Sequence, residues 1–309
     1  MKGFLNKVLL FFLILLIAVA GTFSITYLLS YRNVSNITLD DNIHTIICGD
    51  SHTKTALNDS IIPNSLNIAH SSEHYLYTFN VLKVLLRSNP QIRTVILGFS
   101  FHNMSSYYDD NLFEPEKTQY MYPRYISVLD RKAVSMILTA NLSGFVRDIK
   151  DIYQGVNRHI GAKDLSQYSF IGGFYDSDRT NKNDSTLRRA LMHHYHNPDQ
   201  SVQDFSTFQL LYLKSIFDMC RDANVRLILM NCPVSREYRA QIPAKFIEHY
   251  YEIAEKYENV FIDYHDYIVP EEFYGDGDHL NKSGSKLFSL YFLNQKKWED
   301  EGNNENFHK

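Results

Sequence analysis

The chain has few cysteines, a single tryptophan and no excess of either charge. Three cysteines in 309 residues cannot build a disulfide framework, and no CxxC or Cys/His spacing offers a zinc site. Cys48 and Cys232 end apolar, strand-like runs and Cys220 lies in a helical pattern, so all three read as buried free thiols. Lys and Arg number 31 against 35 Asp and Glu, and without a basic excess no nucleic-acid partner is expected. There is no P-loop, no dinucleotide fingerprint and no Gly-x-Ser-x-Gly elbow. Nucleotide chemistry and the usual α/β-hydrolase layout are therefore not expected, and neither a metal nor an organic cofactor is called for. With 44 % hydrophobic and 21 % charged residues and no internal repeat, the chain is neither disordered nor fibrous. What is plentiful is tyrosine and phenylalanine, 22 and 20. AT-rich codon usage accounts for that bias, and amphipathic, sugar-binding surfaces are the functional alternative.

The first long feature is apolar. Lys2 and Lys7 precede an uncharged run from Val8 to Leu29, which at 1.5 Å per residue spans a hydrocarbon core of about 30 Å. The positive-inside rule puts residues 1–7 in the cytoplasm and the rest outside. In a bacterium that means a single-pass inner-membrane protein with a periplasmic domain. Ala18-Val19-Ala20 resembles a signal-peptidase site, but the run continues nine residues past it to Leu29, a length that favours an uncleaved anchor over a signal peptide. We therefore read 1–30 as the anchor and 31–42 as a polar linker.

Beyond the linker, apolar strand-like runs alternate with helical stripes. Strands are expected at 44–48, 65–69, 93–99, 225–231 and 260–263, and helices at 73–87, 205–223, 243–257 and 281–295. Near-continuous apolar strands separated by helices predict a parallel sheet covered on both faces, in a flavodoxin-like, doubly wound α/β arrangement over 43–295. Residues 104–203 interrupt the pattern with helical segments at 131–142 and 145–156 and are read as an insertion capping the site. Its Tyr107, Tyr108, Tyr120, Tyr122 and Tyr125 are candidates for stacking on a sugar. Asp109-Asp110 and Glu114-Pro115-Glu116 read as solvated loop, His193-His194-Tyr195-His196 as a surface segment, and 296–309 as a polar tail.

Doubly wound sheets carry their sites at the carboxyl ends of the strands, and three segments there bear chemistry. Gly49-Asp50-Ser51-His52 follows the first strand and places a serine at a helix start, where its hydroxyl and N–H face the site; an ordinary N-cap is the simpler role. Asp276-Gly277-Asp278-His279 precedes the last helix. There Asp276 can accept from Nδ1–H of His279, leaving Nε2 to take a proton from Ser51. Asp278 projects elsewhere or caps the helix. Gly98-Phe99-Ser100-Phe101-His102-Asn103 follows the third strand, and a side-chain amide there can donate to an oxyanion.

These segments resemble the SGNH/GDSL hydrolase superfamily. Gly49-Asp50-Ser51 matches its first block and Asp276-x-x-His279 its last. The resemblance implies a Ser51–His279–Asp276 triad, with the Ser51 N–H and Asn103 as oxyanion donors and His102 as the competing position. The glycine of the second block is missing; Ala69-His70-Ser71-Ser72 stands in its place, so a donor there would be a backbone N–H near Ser71 or Ser72. His52, His70 and His102 are candidate substrate contacts.

The expected function is that of an extracytoplasmic serine esterase or O-acyltransferase acting on acyl, most simply O-acetyl, esters of a cell-envelope or secreted glycan. The anchor and the altered middle blocks look similar to proteins that work beside membrane-bound O-acyltransferases, which makes such an enzyme a candidate partner. The alternative is a glycan- or partner-binding module with a vestigial triad.

Overall fold

The computed structural model describes residues 2–178, 180, 183–257 and 261–295. In chain order the elements are α1 (Lys2–Val34), β1 (Thr45–Cys48), α2 (Ser51–Ala56), β2 (Ser65–Asn67), α3 (Tyr75–Ser88), β3 (Thr94–Gly98), α4 (Tyr107–Phe113), α5 (Pro115–Tyr125), α6 (Arg131–Ala140), α7 (Leu142–Arg147) and α8 (Ile149–Ile160), followed by α9 (Asp184–Tyr195), α10 (Thr207–Asp222), β4 (Arg226–Asn231), α11 (Arg236–Arg239), α12 (Ala244–Lys256), β5 (Phe261–Asp263) and α13 (Lys282–Asn294). Val260 and the tail 296–309 lie outside the described residues. The described residues divide into two units, those within 1–39, 79–90 and 110–171 and those within 40–78, 91–109 and 172–309.

The second unit holds the sheet. All its strands run parallel in the order β2-β1-β3-β4-β5, the order of a flavodoxin-like doubly wound sheet. The strands are short and β-branched, and β1 and β3 are buried along their whole length, as a sheet covered on both faces requires. Alternation sends Ile47, Ile96, Ile228 and Met230 to one face, where they meet Ala56, Phe288 and Phe292 from α2 and α13. The strand order reverses between β1 and β3. Two loops leave the sheet there, Gly49–Asp50 and Phe99–Ser100, and α2 starts close to the strand ends. That closeness needs glycine. Gly49 has φ +137°, and a Cβ on Gly98 would stand 1.8 Å from Thr53 Oγ1.

The first unit is helical. α1 is long and apolar enough to cross a membrane. It does not end at the expected linker but continues to Val34, and Val34, Ile37 and Leu39 are buried. Ser30 Oγ donates to Ser127 Oγ at 2.7 Å, and Asn33 Nδ2 donates to the carbonyls of His159 (2.7 Å) and Ala162 (3.2 Å). Residues 31–39 are thus packed against the helices rather than forming a tether.

The insertion 104–203 is likewise not one cap. Residues 110–171 group with α1, while 104–109 and 172–203 stay with the sheet. Its solvated loops are helical: Asp109 and Asp110 lie in α4, and Pro115 opens α5 with Glu116 in the first turn, a proline and a carboxylate where helix starts favour them. The segment read at 145–156 is split at Asp148, whose buried carboxylate takes Arg147 Nη2 at 2.6 Å and Thr118 Oγ1 at 3.1 Å. Tyr122 and Tyr125 are buried within this unit and are no sugar platform.

Gly98→Ala should destabilise the protein by about 1–3 kcal/mol through overpacking. Adding Thr53→Ala should recover part of that loss, because the clashing Oγ1 is gone. Urea unfolding with an unchanged m-value would read both effects.

Candidate active site

Ser51 is the first residue of α2, and Asp50 caps that helix by accepting the His52 N–H on Oδ1 at 3.0 Å. A first helical residue has no intrahelical acceptor for its N–H, so the Ser51 amide points out beside its own hydroxyl. Across the sheet edge, Tyr274 and Leu280 bridge and the Gly275 N–H donates to the His279 carbonyl at 2.8 Å. The loop so closed presents Asp276 and His279. Asp276 Oδ1 accepts the backbone N–H of Asp278 (3.2 Å) and of His279 (3.0 Å). The His279 ring bridges the two segments: Nδ1 lies 3.0 Å from Asp276 Oδ1, and Nε2 lies 2.8 Å from Ser51 Oγ. Because a carboxylate only accepts, Nδ1 carries a proton. Ser51, Asp276 and His279 are each half-buried, reachable yet fixed. The structure therefore brings together residues 228 positions apart, as the sequence led us to expect.

Asn103 lies elsewhere. Its Oδ1 accepts the Ser100 N–H, and its Nδ2 donates to Asp50 Oδ2 (2.7 Å) and Tyr108 Oη (3.1 Å). Both ends of the amide are engaged within the protein, which corrects its expected role as an oxyanion donor. His102 is not an alternative donor either, since its Nε2 is 2.7 Å from the same Asp50 oxygen. His52 and His102 are buried, so neither offers a substrate contact. His70 is half-buried, and its N–H reaches the Gly49 carbonyl at 3.1 Å; it stays at the mouth of β1. Tyr108 donates its hydroxyl to Asp50 and is not a stacking surface.

Beneath the triad lies a layer that sequence reasoning missed. The His102 ring packs against His52 at 4.1 Å and against His194 at 4.6 Å, and His52 lies 4.8 Å from His279. His194, assigned to a surface segment, turns inward from α9 and its Nδ1 meets Tyr238 Oη at 2.6 Å, while its neighbour His193 is exposed. Adjacent helical residues face different ways, so one of the two could always have pointed in. Asp278 is buried as well. Its Oδ2 lies 3.2 Å from His52 Nε2, and its Oδ1 lies 3.3 Å from His279 Nδ1. His279 thus has two carboxylates on one nitrogen, not one.

Metal-ligand atoms gather twice here, from Asp50, His52 and His102 and from His52, Asp278 and His279. The first group shares an oxygen that already receives His102, Asn103 and Tyr108, and the second shares the ring that holds Ser51. Asp50 Oδ2 is filled by hydrogen bonds, while both ring nitrogens of His52 and Oδ2 of Asp278 are buried without one.

The electrostatics follow from burial against pairing. Burial opposes charge on Asp50 and Asp278, but the imidazoles beside them hold both carboxyls well below the usual range. Burial and the neighbouring His52 push His102 down, and burial with His102 pushes His194 further. Burial also opposes charge on His279, yet Asp278 and Asp276 raise it well above 6.5. No family model matches the chain, and no match is found among curated proteins.

A histidine whose pKa is raised keeps its proton until the pH passes that higher value. NMR titration of the His279 ring should give a midpoint above 6.5. Asp278→Asn should move it downward, because one of the two negative charges holding the proton is removed. An unmoved midpoint would mean that Asp276 alone sets it.

Proposed function

We propose that this chain is a membrane-anchored, extracytoplasmic serine esterase or O-acyltransferase of the SGNH/GDSL kind. The observation that carries this reading is the unbroken line from Asp276 through His279 to Ser51, at 3.0 and 2.8 Å. The triad stands at the carboxyl edge of a doubly wound sheet, where such sites belong. Ser51 Oγ attacks the ester carbonyl while His279 Nε2 takes its proton, and Asp276 and Asp278 stabilise the imidazolium. The oxyanion is met by the Ser51 N–H, with a second backbone donor drawn from the loop after β2, where Ser71 and Ser72 stand. The alkoxide leaves with the proton from His279. Water or a bound sugar hydroxyl then attacks the acyl-Ser51, His279 again serving as the base. The substrate class, an O-acyl group on an envelope or secreted glycan, rests on the anchor and the family resemblance, as does a membrane-bound acyltransferase as partner. With Lys2 and Lys7 at its start, α1 is read as an uncleaved anchor whose N-terminus faces the cytoplasm.

The engaged Asn103 favours a second reading, a glycan- or partner-binding module whose triad no longer turns over, since no side-chain amide remains for the oxyanion.

A fluorophosphonate probe and a p-nitrophenyl ester separate the two. Esterase function predicts labelling at Ser51. Ser51→Ala and His279→Ala should each lower turnover on the order of 10⁵–10⁶-fold, with the double variant no worse than either. Asp276→Asn should cost more than Asp278→Asn, because only Asp276 also fixes the backbone of the loop. Asn103→Ala should act through folding stability, not through kcat alone. A folded protein that neither labels nor hydrolyses would leave the binding module.

A further inference from the structure

Within the helical unit, α7 and α8 carry an apolar stripe on the wrong side. Leu142 and Val146 stand four residues apart on α7, and Ile149 and Tyr153 four apart on α8, so each pair shares one face of its helix. That spacing normally marks the face turned to a core. Here the four are 60, 60, 40 and 38 % exposed, while Ile152, Gly155, Val156 and His159 form the buried face. Among the described residues of this unit outside α1, the one other large exposed hydrophobic side chain is Tyr120.

The position of this stripe along α1 says what covers it. Within the uncharged run of α1, Val8 is half-buried and the helix is exposed on all sides from Leu9 to Thr22; the exposed residues before Val8 include Lys7, which belongs at the headgroups. The 14 residues from Leu9 to Thr22 (22 − 9 + 1) are about 21 Å long, against a hydrocarbon core of about 30 Å. The missing 9 Å or so falls on residues 23–28. At that level one side of α1 meets the helical unit: Phe23 lies 6.5 Å from the Tyr153 ring, and Tyr27 Oη donates to the Leu129 carbonyl at 2.9 Å. The other side, with Ile25, Leu28 and Leu29, stays exposed at 61, 56 and 48 %. A bilayer that reaches Leu28 on one side of α1 reaches Tyr153 on the other.

We propose that the face carrying Leu142, Val146, Ile149 and Tyr153 is seated in the leaflet beside α1, so that the helical unit stands in the membrane to a depth of about 9 Å. This rests on the anchor reading of α1. The depth is that of an interfacial amphipathic helix, about 5–10 Å. Exposed Arg131, Lys132 and Lys150 flank the stripe, with stems long enough to reach anionic headgroups. At Leu142 the stripe joins a groove of about 470 Å³ lined also by Tyr27, Arg131, Val134 and Leu138. An acyl chain with its headgroup at the arginine suits those walls.

The test uses the full chain in liposomes of equal parts phosphatidylcholine and phosphatidylglycerol. The native thiols Cys48, Cys220 and Cys232 are buried, so Val146→Cys, Tyr153→Cys, Tyr120→Cys and Leu16→Cys can each carry an environment-sensitive fluorophore. Spin-labelled lipid should quench the label at 146 and 153 by about half or more of the extent seen at 16, the depth ratio expected for an interfacial seat, and leave 120 unquenched. Labels at 146 and 153 that respond only to an aqueous quencher, with 16 in lipid, would overturn the seat and leave the anchor intact. Labels there shielded from both quenchers would overturn it in favour of a protein cover, a second copy or a partner. A label at 16 that faces water would remove the anchor reading itself.

Discussion

A buried carboxylate organises the site. Asp50 stands just past the end of β1 and is 2 % exposed, so the protein must supply the partners that bulk solvent would have given. Its Oδ2 gathers His102, Asn103 and Tyr108, and its Oδ1 takes the His52 N–H. These donors come from the turn after β3, from α4 and from the start of α2. Removing any one of them leaves a charge partly unpaired in the interior, which costs far more than the bond contributes. The two loops at the strand-order reversal are thereby locked to each other, and Ser51, the residue after Asp50, inherits a fixed position.

The same demand explains how far the sequence could be read. The strands and the long helices were legible because β-branched runs and helical stripes report burial directly: β1, β3 and β4 fall within one or two residues of expectation. Ser51, Asp276 and His279 were legible because each sits in a short segment whose geometry is local. Asn103 and His102 were placed at the correct edge but given the wrong task. Their task is set by Asp50, 53 and 52 residues away, and nothing in a sequence announces that an aspartate in a polar-looking turn is buried. Asp278 was passed over because a residue adjacent to His279 was expected to project away. It does turn from solvent, and its second oxygen still reaches the ring. The split of residues 104–203 between the two units depends on α1 offering a packing surface beyond Tyr27, which hydropathy alone reads as the end of a span.

Charge balance within the layer sets what His279 can do. Asp50, Asp276 and Asp278 are all held ionised, and three carboxylates this close need compensating protons. Burial and their neighbours push His102 and His194 down, whereas His52 and His279 are raised, so the layer favours positive charge on these two rings. In the proposed reading the proton that His279 Nε2 takes from Ser51 therefore arrives where negative charge already stands. Neutral His102 and His194 are also what allows four rings to pack so closely, since stacked like charges would repel.

The loop that carries Asp276 and His279 is rigid for reasons independent of any substrate. Tyr274 and Leu280 close it, Asn281 caps α13 by accepting the Ser283 and Gly284 N–H groups, and Ser235 Oγ holds the Gly277 carbonyl at 2.8 Å. Residues 172–178 brace it from outside, with the Lys282 N–H on the Ser177 carbonyl and the Tyr175 N–H on the Lys54 carbonyl. The Asp276 oxygen that orients the His279 ring also accepts two N–H groups of its own loop, so side chain and backbone cannot move separately. In the reading proposed above, the imidazole waits in the place where the proton will arrive. Groups fixed in advance need no reorganisation as charge develops, and that, more than the presence of three suitable side chains, separates a working triad from a chance meeting of serine, histidine and aspartate.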